Sequence, residues 1–220
     1  TNVDQAEDEP ELAFLINRDA PKVIAEKARE YNIPFIHFST DYVFEGEKKV
    51  AYLETDPTNP LGVYGASKWA GEEAIQHVGG KFYIFRTSWV YSNIGHNFYL
   101  TIKGLSEKRD EIRVISDQFG VPTSSYFIAK HTQNIIKQLS SKNTGIYHLV
   151  PDGQCSWCEF AKQIITKTTP TFDINNILPV DTDQYPTNAK RPKSSVLDNS
   201  LIKTVFMLKF DDWITELRKL

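Results

Sequence analysis

Short apolar runs alternate with stretches of helical spacing along most of this chain. Phe35-Ile36-His37-Phe38-Ser39 follows Pro34 and ends in small polar residues, which reads as a buried strand. Phe82-Tyr83-Ile84-Phe85-Arg86 reads as a second, and shorter strands are expected at residues 112–115 and 146–150. Between them, Leu12, Leu15, Ile16, Val23, Ile24 and Ala28 recur at helical spacing over residues 12–31. Further helices are expected at residues 64–78, where Gly71 and Ala74 permit close packing, and within 93–108, 127–139 and 156–168. Asp211-Asp212-Trp213-Ile214 opens a last one, acidic at its start and ending in Arg218-Lys219, as the helix dipole favours. Residues 1–11 are expected as loop and helix entry, while 45–59 and 181–195 read as polar loops. There is no internal repeat.

At 220 residues the chain can bury one good core with room for a small appended lobe. Hydrophobic content of 40% with 12% aromatic residues marks a globular protein. A net charge of −3 gives no basic footprint for nucleic acid. No apolar run approaches the roughly 20 residues that span a bilayer, and no signal peptide opens the sequence, so the expected location is cytoplasmic. The two cysteines, Cys155 and Cys158, have C-x-x-C spacing. That spacing admits a redox pair or half a zinc site. With no second pair, and with the segment opening an amphipathic helix, a structural role is expected.

The candidate chemistry lies in residues 35–68. Tyr64 and Lys68 are four residues apart and stack on one helix face. An ammonium beside a phenol favours the phenolate and would lower a pKa that is ordinarily about 10. Thr40, at the carboxyl end of the first strand, could hold a carbonyl oxygen beside that phenol. The set reads as a carbonyl/alcohol redox site served by a nicotinamide. A Tyr-x-x-x-Lys pair alone arises by chance in many proteins. Here it follows a strand ending in Ser-Thr-Asp and a Pro-bearing loop, and it opens a helix.

Three segments carry a resemblance: Ser39-Thr40-Asp41-Tyr42-Val43-Phe44, Pro60-Leu61-Gly62-Val63-Tyr64-Gly65-Ala66-Ser67-Lys68 and Arg86-Thr87-Ser88-Trp89-Val90-Tyr91. Asp117-Gln118-Phe119-Gly120-Val121-Pro122-Thr123, Gly145-Ile146-Tyr147-His148-Leu149 and Arg191-Pro192 add to it. On these the chain resembles the extended short-chain dehydrogenase/reductases and, among them, the dTDP-4-dehydrorhamnose reductase family. The resemblance runs from Val3 nearly to the C-terminus. It implies a partial Rossmann-like, doubly wound parallel sheet with a smaller α/β substrate-binding lobe. Residues 1–115 would form the C-terminal part of the dinucleotide-binding domain. Residues 116–220 would be mainly the lobe, with some segments returning to the Rossmann part.

The implied activity is NAD(P)H-dependent reduction of the C4 keto group of dTDP-4-dehydro-L-rhamnose, a step toward cell-surface polysaccharide. Thr40, Tyr64 and Lys68 fall on the family's catalytic positions. Tyr64 would donate the proton. Lys68 would lower its pKa and bond the nicotinamide ribose. Thr40 would orient the keto oxygen, and Phe38 would lie against the cofactor. Asp41 and Trp89 match positions that contact the deoxysugar; Asp41 could equally cap the chain after the strand, and Trp89 could be core. Arg191 could grip a diphosphate or sit in a surface salt bridge. Asn17 matches either a proton-relay asparagine or a polar residue on a solvated or inter-helix face. Sugar-nucleotide dehydratases carry a glutamate directly after the Thr-Asp pair, whereas Tyr42 stands there in this chain. The resemblance also implies NADPH or NADH as cofactor, admits Mg2+ without assignable ligands, and suggests a homodimer.

No G-x-x-G-x-x-G turn is present, although a dinucleotide-binding fold uses one at the pyrophosphate. The expectation is therefore a chain lacking the first βα units, inactive as it stands and not stabilised by NADPH. Its strand at 35–39 would then be an unpaired edge. The alternative reading is a non-catalytic, nucleotide-binding regulatory subunit of the same superfamily.

Overall fold

The computed structural model describes residues 2–220. Asn2 caps a first helix, α1 (Val3–Asp8), its side-chain oxygen accepting from the backbone N–H groups of Asp4 and Gln5. A separate helix thus occupies most of the segment expected as loop and helix entry, an N-cap asparagine being the overlooked signal. Thr1 lies outside the described residues. The backbone breaks at Glu9, and Pro10 opens α2 (Pro10–Phe14), which continues through a π-helical turn, Leu15–Asp19, into α3 (Ala20–Glu30).

The π turn keeps one face of this long helix in line. Ala13, Asn17, Pro21, Ala25 and Ala28 are its buried residues. Repeats of i+4 overshoot a regular helical turn by about 40° each, so three in succession would carry the buried face about 120° round the axis. The slower winding of a π turn takes up most of that drift. Of the apolar residues that announced the helix Ala28 alone is on this face; Leu12, Leu15, Ile16, Val23 and Ile24 are 46–56% exposed. Small residues line the buried face because the neighbouring helix comes very near. A Cβ added at Gly71 would stand 2.0 Å from the Asn17 carbonyl oxygen.

That neighbour is α4 (Val63–Val78), which follows β1 (Phe35–Thr40), a 3-10 turn Asp41–Val43 and a long loop. Its N-terminus receives no cap from Gly62; instead Glu7 of α1 accepts the Val63 N–H at 2.8 Å. Next come β2 (Phe82–Thr87), the short β3 (Val90–Tyr91), α5 (Phe98–Ser106) and β4 (Ile112–Ile115). The short strands β5 (Phe119–Gly120) and β6 (Thr123–Ser124) lead into α6 (Ser125–Ile136) and β7 (Gly145–His148). The chain ends with β8 (Cys155–Ser156), α7 (Trp157–Thr168), β9 (Ile177–Val180), α8 (Ser200–Val205) and α9 (Trp213–Arg218). Strand β9 and helix α8 carried no clear signal: four residues interrupted by Pro179, and one and a half turns of helix.

Strands β1, β2 and β7 form a parallel sheet in that order, with Thr40 beside Thr87 and Phe85 beside Tyr147. Ile84 packs with Ala25, Ile75 and Val78 of α3 and α4 on one face, whereas Tyr83, Phe85 and Tyr147 pack with Phe127, Ile135, Ile202 and Phe206 on the other. The sheet is therefore covered by helices on both faces, the doubly wound arrangement. Among the described residues β1 pairs only with β2, so it is an edge. A separate core joins Tyr99, Ile102, Ile112 and Val114 to Phe160, Ile164, Ile177, Trp213 and Leu217 around the β4–β9 pair. This clustering cuts across residue 115 in both directions, since α5 and β4 pack with later elements while α6 and β7 pack with β2. Cys155 and Cys158 are free and buried in the second core, where burial pushes both thiols up.

One ion pair ties α4 to the sheet. Arg86, at the end of β2, meets Glu72 with nitrogen–oxygen distances of 2.7, 3.0 and 3.2 Å, at 3% and 0% side-chain exposure. The guanidinium also lies over the Phe44 ring, 5.1 Å from its centroid. Replacing Glu72 by Leu strands a buried cation and is expected to cost about 3–5 kcal/mol of stability. Adding Arg86→Met to that variant should recover much of the loss. Urea unfolding of the parent, single and double variants measures both, and equal losses in the two variants would contradict the account.

Candidate active site

The strand ends and the first turns of α4 bring the expected side chains together. Thr40 is buried at the last position of β1; its Oγ1 accepts from the Tyr42 N–H at 3.2 Å and donates to Asp41 Oδ1 at 3.1 Å. The capping role considered for Asp41 is thus performed by Thr40. Tyr64 lies in the first turn of α4, within hydrogen-bonding influence of the Thr40 hydroxyl, and its ring meets Tyr42 edge-on at 5.7 Å. Lys68, one turn on, donates from Nζ to the Phe38 carbonyl at 2.6 Å and lies 3.2 Å from His37 Nε2. Phe38 itself is 41% exposed on the edge strand.

Burial governs the electrostatics here. It lifts the Tyr64 phenol above its ordinary value, with the Asp41 charge adding to the rise and the Thr40 hydrogen bond opposing it. Lys68 falls to about 8 because its ammonium is desolvated, Glu72 working against the fall. The sequence led us to expect Lys68 to pull Tyr64 down. In the structure its ammonium is turned to the strand, and desolvation decides the direction for both groups. Asp41, 2% exposed, is pushed up to about 7 by burial, while Ser195 and Thr40 hydrogen bonds hold it lower than burial alone would.

Asn17 proves to be an inter-helix residue. Its Nδ2 donates to Ser67 Oγ at 3.0 Å, and that hydroxyl donates to the Tyr64 carbonyl at 2.8 Å. The chain Asn17–Ser67–Tyr64 thus fastens the turn that carries the phenol to the π turn of the adjacent helix.

Trp89 stands beyond the end of β2 with φ +46°, a strained backbone for a tryptophan. Its ring stacks on Trp157 at 3.5 Å with 9° between planes, and Phe98 lies 4.5 Å from Trp157. At position 120 in β5 only glycine fits, since a Cβ there would lie 2.5 Å from the Trp89 ring. Trp157 was not foreseen; its only signal was an aromatic residue directly after the N-cap Ser156. Arg191 is half-buried and paired with Asp4, Nη2 to Oδ2 at 2.8 Å, and its guanidinium also acts on the Tyr42 hydroxyl. The salt-bridge alternative is therefore occupied in the structure. Arg191 also borders an open cleft of about 890 Å3, lined by Lys48, Lys49, Lys190 and Lys193 along with several carboxylates. The wall of the cleft does not include Thr40, Tyr64 or Lys68.

Ser39 Oγ and Thr87 Oγ1 are buried at the strand ends with no hydrogen-bond partner among the described residues. Unpaired buried hydroxyls at the carboxyl ends of parallel strands suit the polar part of a ligand such as a nicotinamide ribose. Among the described residues there is no cluster of three or more His, Cys, Asp or Glu side chains able to hold a metal ion, so no step is assigned to Mg2+.

Comparison with known proteins extends this picture. The RmlD substrate binding domain family matches residues 1–220. The dTDP-4-dehydrorhamnose reductase of Escherichia coli K12 is 42% identical over 218 residues, covering 97% of this chain and 73% of its own length. The crystal structure of the Bacillus anthracis dTDP-4-dehydrorhamnose reductase in complex with NADP superposes with a TM-score of 0.92 at 36% identity, over 100% of this chain and 76% of that one. The Clostridium acetobutylicum protein of the same name gives 0.93 at 36% identity, with the same coverage of 100% and 76%.

The raised pKa of Asp41 has a stability consequence. A carboxyl that titrates near 7 when folded and near 4 when unfolded binds its proton more tightly in the native state between those values. Its contribution is whole below about pH 4 and is lost as pH rises through 7. Asp41→Asn should therefore gain stability relative to the parent as pH rises from 4 to 8, the difference vanishing near pH 4. Denaturant midpoints across that range measure it, and a pH-independent difference would show that the carboxyl is not held protonated.

Proposed function

We propose a function on the premise that this chain belongs to the RmlD substrate binding domain family and, within it, to the dTDP-4-dehydrorhamnose reductases. The chain is an NAD(P)H-dependent oxidoreductase that reduces the C4 keto group of dTDP-4-dehydro-L-rhamnose, giving dTDP-L-rhamnose for cell-surface polysaccharide. The observation that supports roles for particular residues is the convergence of Thr40, Tyr64 and Lys68 at the carboxyl end of β1.

In this reading Tyr64 is the acid. Burial holds its phenol protonated at neutral pH, which is the form a reduction requires. Thr40 orients the keto oxygen, its hydroxyl already fixed by the Tyr42 N–H and Asp41. Oxyanion character growing at C4–O is met by the Tyr64 O–H, which transfers its proton there. Lys68, Tyr64 and Phe38 would hold the nicotinamide end of NADPH, which when bound supplies the hydride added to C4. Asp41 and the Trp89 ring, braced from behind by Trp157, bound the space for the deoxysugar. Arg191 meets the diphosphate at the cost of its contact with Asp4. The residue after Asp41 is Tyr42, which offers no carboxylate for dehydration chemistry. Among the described residues no helix is long and apolar enough to cross a membrane, and a cytoplasmic location suits the soluble substrate.

The test is NADPH oxidation driven by dTDP-4-dehydro-L-rhamnose, comparing the full-length protein with its Tyr64→Phe variant. Loss of the acid should lower kcat by about 10²–10⁴-fold while NADPH affinity stays within severalfold. Turnover of the variant near the parental rate would remove Tyr64 as the acid. Binding of NADPH by both, with turnover by neither, would favour the regulatory-subunit reading.

A further inference from the structure

His37 is the one polar side chain in the apolar body of β1, and the mechanism above makes no use of it. Strand alternation points it to the face that α4 covers, where Phe35 packs with Ile75 and Val78. Its Nε2 lies 3.2 Å from Lys68 Nζ, and the ammonium reaches the next residue's carbonyl, Phe38 O, at 2.6 Å. We propose that His37 is a positioning residue for Lys68, its Nε2 acting with the Phe38 carbonyl to hold the ammonium at the carboxyl end of β1.

The chemistry of the pair fixes the roles. An ammonium only donates, so Nε2 must accept and the ring proton must reside on Nδ1. Two of the three Lys68 N–H bonds are then directed into the strand, leaving one for a ligand. Burial, with the Lys68 charge, holds His37 down at about 3, so the ring stays a neutral acceptor throughout the working range. The other ionisable groups facing Lys68 are on α4 itself: Tyr64 one turn back and Glu72 one turn on, the latter held by Arg86 from β2. Glu72 is shared with Arg86, and His37 supplies a neutral acceptor that desolvation cannot remove. A lysine at this depth without such an acceptor would release its proton at lower pH.

Two measurements test this, and only the second rests on the reductase reading. In protein carrying 13C-enriched lysine, the Lys68 Cε resonance, assigned with Lys68→Arg, gives the titration midpoint directly. His37→Leu should lower that midpoint by about one pH unit, the loss of one hydrogen bond to a charged group, and His37→Gln, which keeps an acceptor oxygen at similar reach, should restore most of it. In kinetics, the fall in kcat/KM as pH rises through the Lys68 titration should move to lower pH by the same amount in His37→Leu. Activity at pH 8 would then drop about fivefold, with recovery in the Gln variant. A Lys68 midpoint unchanged or raised in His37→Leu, with the fold intact by thermal melting, overturns the proposal. If the Leu variant does not fold, His37→Asn takes its place, its shorter amide falling short of Lys68. An inactive parent would count against the reductase reading and leave the titration to decide the role of His37.

Discussion

The buried pair between Arg86 and Glu72 is the constraint on which the arrangement of this protein depends. It joins the end of β2 to the middle of α4, and so fixes the height and rotation of the helix over the sheet. Tyr64 lies two turns before Glu72 and Lys68 one turn before it, so both inherit their places from this contact. Small residues complete the fixing. Gly71 admits the Asn17 carbonyl, Ser67 receives the Asn17 amide, and Glu7 caps the N-terminus of the helix. Buried ion pairs add little net stability over apolar residues of the same volume, but they do not tolerate a shift in register. In this fold the pair acts as a register pin, and Glu72 also supports the neighbouring Lys68 charge.

A second theme follows from the depth at which α4 is held. Tyr64, Lys68 and Asp41 are all moved toward their neutral forms, for the common reason that their charged forms are poorly solvated. A protonated phenol is what proton donation to a carbonyl requires. An ammonium near the neutral range is held in place by neutral acceptors, Phe38 O and His37 Nε2, more than by a counter-charge. The expectation of a phenol lowered by its lysine treats the pair as if it were in water, where the charge would dominate.

Much of the fold was legible because its elements are long and strongly patterned. Strands 35–40 and 82–87 and helices 63–78 and 157–168 follow from apolar runs and helical spacing. The helix over residues 10–30 was visible for a misleading reason. Its conspicuous leucines, isoleucines and valine face outward, while alanines and Asn17 make the buried contact. A π turn cannot be read from periodicity, and without it the buried face cannot be predicted. Thr40, Tyr64 and Lys68 were legible as a local motif. Trp157 and His37 were not, because what gives them meaning is contact with residues 68 and 31 positions away. The Asp4 partner of Arg191 was hidden in the same way, at a separation of 187 residues.

The central claim is that this site adds hydride to C4 of a 4-keto sugar nucleotide while Tyr64 protonates the oxygen. The most direct measurement follows deuterium from 4-deuterated NADPH of the transferring stereochemistry into product, with dTDP-4-dehydro-L-rhamnose as substrate and NMR of the isolated sugar as readout. The account predicts one deuterium at C4 of dTDP-L-rhamnose and none elsewhere on the ring. Retention of the label in the nucleotide, or exchange of solvent hydrogen at C3 or C5 with no label at C4, would contradict it.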